Sequence, residues 1–197
     1  MVDLRKRDAV AALALEFLIL TLGRTNEVLE ARWPEIIGSG TTAIWVIPKE
    51  RMKGDREHRV PLTAAALTVL EKVRPLAQKG DYIFPGFKLG RPLSNMAMEM
   101  LIQRMNGSSH PPRWCDVQGE AIVPHGFRST FKDWTAERTT FANEISEMAL
   151  AHAIDDKTEA AYRRGDLMLK RRKLMEAWAA YCGTSRPAAH IDIFLRP

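Results

Sequence analysis

Cysteine is scarce in this 197-residue chain: Cys115 and Cys182 are the only two, and neither has a CxxC partner. Two thiols make no disulfide framework, so the chain reads as a protein of a reducing compartment. Also missing is any Cys/His array or carboxylate cluster with metal-ligand spacing, and neither a metal nor another cofactor is expected. There is no internal repeat and no low-complexity tract. The one apolar stretch of note, residues 9–22, is too short to cross a bilayer and is interrupted by Glu16. Arg5-Lys6-Arg7 ahead of it imitates a signal peptide, but no small-residue cleavage site follows cleanly. A soluble, cytoplasmic protein without a membrane partner is the expectation.

What is present is ordinary for a globular domain, with 46% hydrophobic and 27% charged residues. Such a chain buries a large core without staples, and disorder, collagen and coiled coil are excluded as overall descriptions. Lysine plus arginine outnumber aspartate plus glutamate, 29 to 24, for a formal charge of +5. That balance suits a polyanion partner without proving one.

The pattern predicts mostly helix with one small antiparallel sheet, an α+β class. Residues 8–22 read as a central helix, apolar nearly all round, stopped by Gly23. Thr25 is placed to cap a helix to about Arg32. Ile44-Trp45-Val46-Ile47 and His58-Arg59-Val60-Pro61-Leu62 form a hairpin with a basic tip around Gly54-Asp55. Thr63 caps a helix to about Leu76, with Leu67, Leu70 and Val73 on one side, and residues 82–85 are extended. Ser94 caps a helix that ends at Asn106-Gly107, and a long loop follows to Val123. Pro124 opens a helix to about Arg138, and Asn143 caps one to about Ala151. A short helix beginning at Asp155 or Asp156 runs through Tyr162, and a last one covers about 166–180.

Four local features carry chemistry. In His125-Gly126-Phe127-Arg128, an imidazole and a guanidinium at i and i+3 share one helix face, near a helix N-terminus that favours anions. His152 is followed ten positions later by Tyr162-Arg163-Arg164, a phenol beside phosphate-binding cations. Arg24 emerges where an almost fully apolar helix ends, so it must be paired or hold a ligand, and Glu27 is its in-chain partner. Arg51-Met52-Lys53 puts cations at the hairpin tip. Taken singly these signals are weak, since a packed histidine, a half-buried tyrosine, a structural Arg24–Glu27 salt bridge or a solvated turn lysine would look the same.

Together and in this order, the set resembles the tyrosine recombinases, the phage-integrase family, over nearly the whole chain. The local wording agrees: Glu27-Val28-Leu29-Glu30-Ala31-Arg32-Trp33, Arg51-Met52-Lys53 leading to His58-Arg59-Val60-Pro61-Leu62, and His125-Gly126-Phe127-Arg128-Ser129-Thr130-Phe131 are similar to integrases of prophages and genomic islands. So are Ala161-Tyr162-Arg163-Arg164-Gly165-Asp166 and Arg171-Arg172-Lys173-Leu174-Met175-Glu176-Ala177-Trp178.

The resemblance implies that family's catalytic-domain fold and transesterification at a DNA phosphodiester. The Tyr162 oxygen attacks phosphorus, the 5′-hydroxyl leaves, and a 3′-phosphotyrosyl link results, which a hydroxyl of another strand reverses. Arg24 and Arg128 fork onto the non-bridging oxygens, and Lys53 protonates the leaving oxygen, with Lys49 as the runner-up. His125 accepts or relays the phenol's proton and His152 hydrogen-bonds the phosphate, although the residues alone leave the division between the two imidazoles open. Glu27 supports Arg24. Contacts to double-stranded DNA are expected from Arg56, Arg59, Arg91, Arg104, Arg113, Lys132, Arg163 and Arg164, mostly to phosphates.

Residues 1–182 are expected to form the catalytic domain and 183–197 a loosely held tail. Full-length members carry DNA-binding domains ahead of it, so this chain reads as a fragment or an unusually short protein. The fragment is expected to bind DNA weakly and salt-sensitively as a monomer, the full-length protein to form a tetramer on DNA. The amphipathic last helix, with Leu167, Leu174, Ala177 and Trp178, packs either on its own domain or on a neighbouring protomer. Competing readings are a type IB topoisomerase-like relaxation of DNA and a catalytically silent DNA-binding regulator.

Overall fold

The computed structural model describes residues 1–76, 80–116, 118–152 and 167–184. The order is α1 (Val2–Arg5), α2 (Val10–Thr21), α3 (Thr25–Leu29), β1 (Ile36–Ile37), β2 (Ile44–Ile47), β3 (His58–Pro61), α4 (Ala64–Val73), α5 (Ala97–Asn106), α6 (Gly126–Arg138), α7 (Asn143–Ala149) and α8 (Met168–Gly183). The mainly helical class with a small antiparallel sheet is therefore observed.

Helix α2 is the central post, because its residues are apolar on every side and α4, α5, α8 and the sheet all have to cover it. Phe17 and Phe84 are fully buried, their rings 5.5 Å apart, and Phe17 meets Trp45 of β2 at 5.3 Å. The acid within this apolar helix, Glu16, is buried and accepts a 2.7 Å hydrogen bond from Arg5 Nε. The basic run at the N-terminus thus serves the fold: α1 delivers the charge that a carboxylate in this core requires.

The sheet has three strands, not the two of the expected hairpin. β2 pairs with β3 in the register Trp45↔Val60 and Ile47↔His58, and β1 pairs with the other edge of β2 through Ile36↔Trp45 and Ile37↔Ile44. β1 is only two residues long, too short to show an alternating pattern.

The ends of α5 at Asn106 and of α6 at Arg138 and the start of α4 after Thr63 are as expected, and the other helix ends differ by one to three residues. Thr63 does cap α4, its Oγ1 accepting from Ala66 N–H at 3.3 Å, and Gly107 ends α5 at φ +59°. At the end of α2, however, Leu22 itself takes the left-handed conformation, φ +61°, and Gly23 serves a different purpose. A Cβ at Gly23 would lie 2.9 Å from Val28 Cγ2 and 3.0 Å from the Trp45 ring. Arg24, not Thr25, precedes the first turn of α3, and Glu27 closes that turn. Ser94 lies a turn before α5, its carbonyl accepting from Ala97 N–H at 3.0 Å, and α6 begins at Gly126, after Pro124. Asn143 is the first residue of α7, not the cap before it.

Helix α8 packs on its own domain. Trp178 is buried and donates Nε1–H to the Ile19 carbonyl at 2.7 Å. Its indole lies among Phe131, Trp134 and Tyr181, with centroids 5.1–5.6 Å away. Arg172 reaches the carbonyls of Leu62 and Ala43, at 3.1 and 3.0 Å. No described helix is long and apolar enough to cross a membrane.

Candidate active site

Three chain segments meet beyond the C-terminal end of α2. The first is the turn from Leu22 to Glu27. Glu27 is buried, and its carboxylate grips Arg24 twice: Oε2 accepts the Arg24 backbone N–H at 2.7 Å and Oε1 accepts Nη1 at 2.7 Å. The capping carboxylate of α3 thereby fixes the direction of the guanidinium, whose side chain stays 28% exposed.

The second segment is the first turn of α6. Arg128 is 6% exposed and is directed by backbone carbonyls. Nη1 donates to Leu22 O, and Nη2 to Leu150 O at 2.6 Å. The carbonyl at the end of α2 therefore brings Arg128 to within two residues of Arg24. Burial and then the nearby Arg24 charge push the Arg128 guanidinium down to about 10, while Glu27 offsets part of this. It remains charged at neutral pH, so two cations share one carboxylate, an arrangement that favours an anion between them.

The third segment is the end of α7. His152 Nε2 lies 3.3 Å from Arg128 Nη2, and its Nδ1 lies 2.6 Å from Glu147 Oε2. The tautomer that satisfies both contacts carries its proton on Nδ1, leaving Nε2 to accept from Arg128. Burial would raise the Glu147 pKa, but hydrogen bonds from Lys132 and His152, with their charges, outweigh it and hold the carboxyl below its usual range. Lys132 also donates to Ser146 Oγ at 2.9 Å and to Asn143 Oδ1.

A cleft of about 470 Å³ opens beside Arg24 and is lined by Glu27, Arg51, Lys53 and His125, among others. Lys53 and His125 are both exposed at its walls. Lys49 is not among the residues lining it. Five of the six residues singled out from sequence are thus gathered round one region: Arg24, Arg128 and His152 through the contacts above, Lys53 and His125 with Arg24 through the cleft. The sixth, Tyr162, lies outside the described residues, as do Arg163 and Arg164. Among the described residues, no three His, Cys, Asp or Glu side chains are placed to hold a metal ion.

The other cations singled out for DNA differ in their freedom. Arg56, Arg91 and Arg104 are exposed. Arg113 pairs with Asp3 at 3.0 Å, and Arg59 with Glu57 at 2.8 Å. Lys132 is committed to Glu147, Asn143 and Ser146 within the fold. Two supports of the site went unrecognised in sequence. Glu147 precedes His152 by five positions, which is no regular helical spacing, because His152 lies past the helix end. His58 read as a strand residue. It is held at about pKa 3 by burial first and then by the Arg171, Arg128 and Arg24 charges, against a bond to the Ala149 backbone that works the other way.

The chain belongs to the phage integrase family, whose profile matches residues 2–167. It is 34% identical over 162 residues to the prophage integrase IntA of Escherichia coli K12, covering 82% of this chain and 36% of that protein. It is 25% identical over 187 residues to the integrase of enterobacteria phage P4, covering 88% of this chain and 40% of the relative. The chain thus spans well under half the length of these relatives. Its fold is similar to that of lambda integrase residues 75–356, solved as a dimer bound to a core site, with a TM-score of 0.56 and 17% identity over 83% of this chain and 55% of that one.

Proposed function

We propose that this chain is the catalytic domain of a site-specific DNA recombinase, which integrates or excises a mobile element by breaking and rejoining strands of double-stranded DNA. The observation that carries the reading is the convergence of two guanidiniums at the end of α2, Arg24 held by Glu27 and Arg128 by the Leu22 carbonyl within reach of the Arg24 charge, beside a cleft shared by Lys53 and His125. The integrase names of the relatives support it.

In this reading a phosphodiester lies against Arg24 and Arg128, whose forked N–H groups hold the non-bridging oxygens as charge builds on phosphorus. His152, turned by Glu147, is placed beside Arg128 to hydrogen-bond the phosphate. The Tyr162 oxygen forms a bond to phosphorus as the bond to the 5′ oxygen breaks. The phenol's proton passes to His125, and the 5′ oxygen takes a proton from Lys53. One ester replaces another, so bond energy is conserved and no nucleotide cofactor is called for.

Residues 1–182 form the catalytic unit in this proposal and 183–197 its tail. The protein acts in the cytoplasm, as a tetramer on DNA when full length and as a monomer in this portion. The test is a nicked suicide duplex: the short fragment that carries the freed 5′-hydroxyl diffuses away after cleavage, so the strand cannot be resealed and the covalent adduct is trapped. A trapped band with wild type and none with Tyr162→Phe, with DNA binding retained, is the expected outcome. A band that survives the substitution overturns the assignment of the attacker. Relaxation of a plasmid lacking recombination sites would instead favour the topoisomerase-like reading.

A further inference from the structure

Lys53 is exposed on its turn, yet a general acid must meet one oxygen to within a fraction of an ångström. The side chain two positions before it is immobilised. Arg51 ends a one-turn helix, Lys49–Arg51, and turns inward with its side chain only 15% exposed. Its Nη1 donates to the backbone carbonyl of Glu27 at 3.0 Å and its Nη2 to Glu35 Oε2 at 2.5 Å. The same Glu35 oxygen accepts Trp45 Nε1–H from β2 at 2.9 Å and the Arg32 backbone N–H at 3.2 Å. Glu27 is the residue whose side chain aims Arg24. One guanidinium therefore ties the base of the lysine turn to the helix that orients the phosphate-binding arginine, and Glu35 ties both to the sheet.

Stability is a weak reason for this arrangement. A buried ion pair is often replaced by apolar side chains at no cost to the fold, and Arg51 Nε is buried without a hydrogen-bond partner among the described residues. The contacts fix position instead. We infer that Arg51, braced by Glu35, is a positioning residue for the leaving-group step: it holds the turn so that Lys53 faces the 5′ oxygen of a phosphodiester seated on Arg24. The inference rests on the proposed role of Lys53 as the acid.

Leaving-group chemistry separates this role from a general loss of structure. When the bridging 5′ oxygen leaves, it takes a proton from the Lys53 ammonium as the tyrosyl oxygen bonds to phosphorus. When sulfur replaces that oxygen, a thiolate leaves without a proton, and the acid becomes dispensable. The cleavage site mapped by suicide trapping is rebuilt as two duplexes, with oxygen or sulfur at the 5′ bridging position, and single-turnover cleavage is measured for wild type, Lys53→Ala, Arg51→Met, Arg51→Lys and Glu35→Gln. Arg51→Met is expected to slow the oxygen substrate by about 10- to 100-fold and to cleave the sulfur substrate at nearly the wild-type rate. Arg51→Lys keeps one contact and falls between. Glu35→Gln follows Arg51→Met in pattern with a smaller loss.

An unchanged rate on oxygen, or equal slowing on oxygen and sulfur by variants with wild-type circular dichroism, overturns the positioning role. If Arg51→Met does not fold, the same comparison on Arg51→Lys and Glu35→Gln decides. Lys53→Ala is the control for the underlying reading: if sulfur does not rescue it, Lys53 is not the acid, whereas rescue of Lys53→Ala without rescue of the Arg51 variants rejects Arg51 alone.

Discussion

Arg128 is held by the very atoms that limit its freedom. Carbonyls of Leu22 and Leu150 take its N–H groups, so the guanidinium is aimed before any phosphate arrives, and its charge repels that of Arg24 until an anion separates them. Lysine at this position supplies a charge without the planar fork. Arg128→Lys is predicted to slow single-turnover cleavage by about 100- to 1000-fold, measured on the suicide duplex. His58 gives a prediction of the opposite kind, concerning pH and folding. Its pKa is about 3 in the folded chain, against 6.5 for the free side chain. Between those values the unfolded chain binds the extra proton, so stability falls as pH drops below about 6.5, by up to about 1.4 kcal/mol per unit. Urea titrations at pH 7.5 and 5.5 should show that loss in wild type and a smaller one in His58→Asn. Arg24, Lys53, His125, Arg128 and His152 were legible in sequence because their order along the chain is itself informative. Glu147, His58 and the inward contacts of Arg51 were not, because each depends on a partner far along the chain or across a helix end.

At the scale of elements, the end of α2 matters most, since it places both guanidiniums. Leu22 turns left-handed there, and Gly23 lets Trp45 and Val28 close against the backbone. Gly23→Ala forces a methyl into contacts of 2.9 and 3.0 Å. It is predicted to cost about 1–3 kcal/mol in urea unfolding and to weaken cleavage further by shifting Arg24. Sequence identified this glycine as a stop signal, the right residue with the wrong reason: periodicity marks where a helix ends, not what leans on the end. The helices α2, α4, α5 and α6 were legible because each shows an apolar face or a terminal signal. Strand β1 was not, because a two-residue strand is defined by the β2 edge it meets. The α8 packing was left open by sequence, since an amphipathic face does not name its cover. The covers are Ile19 and the Phe131–Trp134 pair.

At the scale of the molecule, the excess of five positive charges and the exposed Arg56, Arg91 and Arg104 suit a phosphate backbone. With only part of the length of its relatives, the chain is predicted to hold DNA chiefly by counterion release. Four phosphate contacts would weaken binding on the order of 100-fold between 50 and 200 mM salt. Fluorescence anisotropy of a labelled duplex measures this, and tight binding that ignores salt would contradict it. In the proposed function, the groups converging at the end of α2 serve one phosphodiester, attacked by one phenol. Its most direct test is to digest the trapped protein–DNA adduct and sequence the peptide that carries the nucleotide. The nucleotide is predicted to be linked through its 3′ phosphate to Tyr162. A link to any other residue, or through a 5′ phosphate, would contradict it.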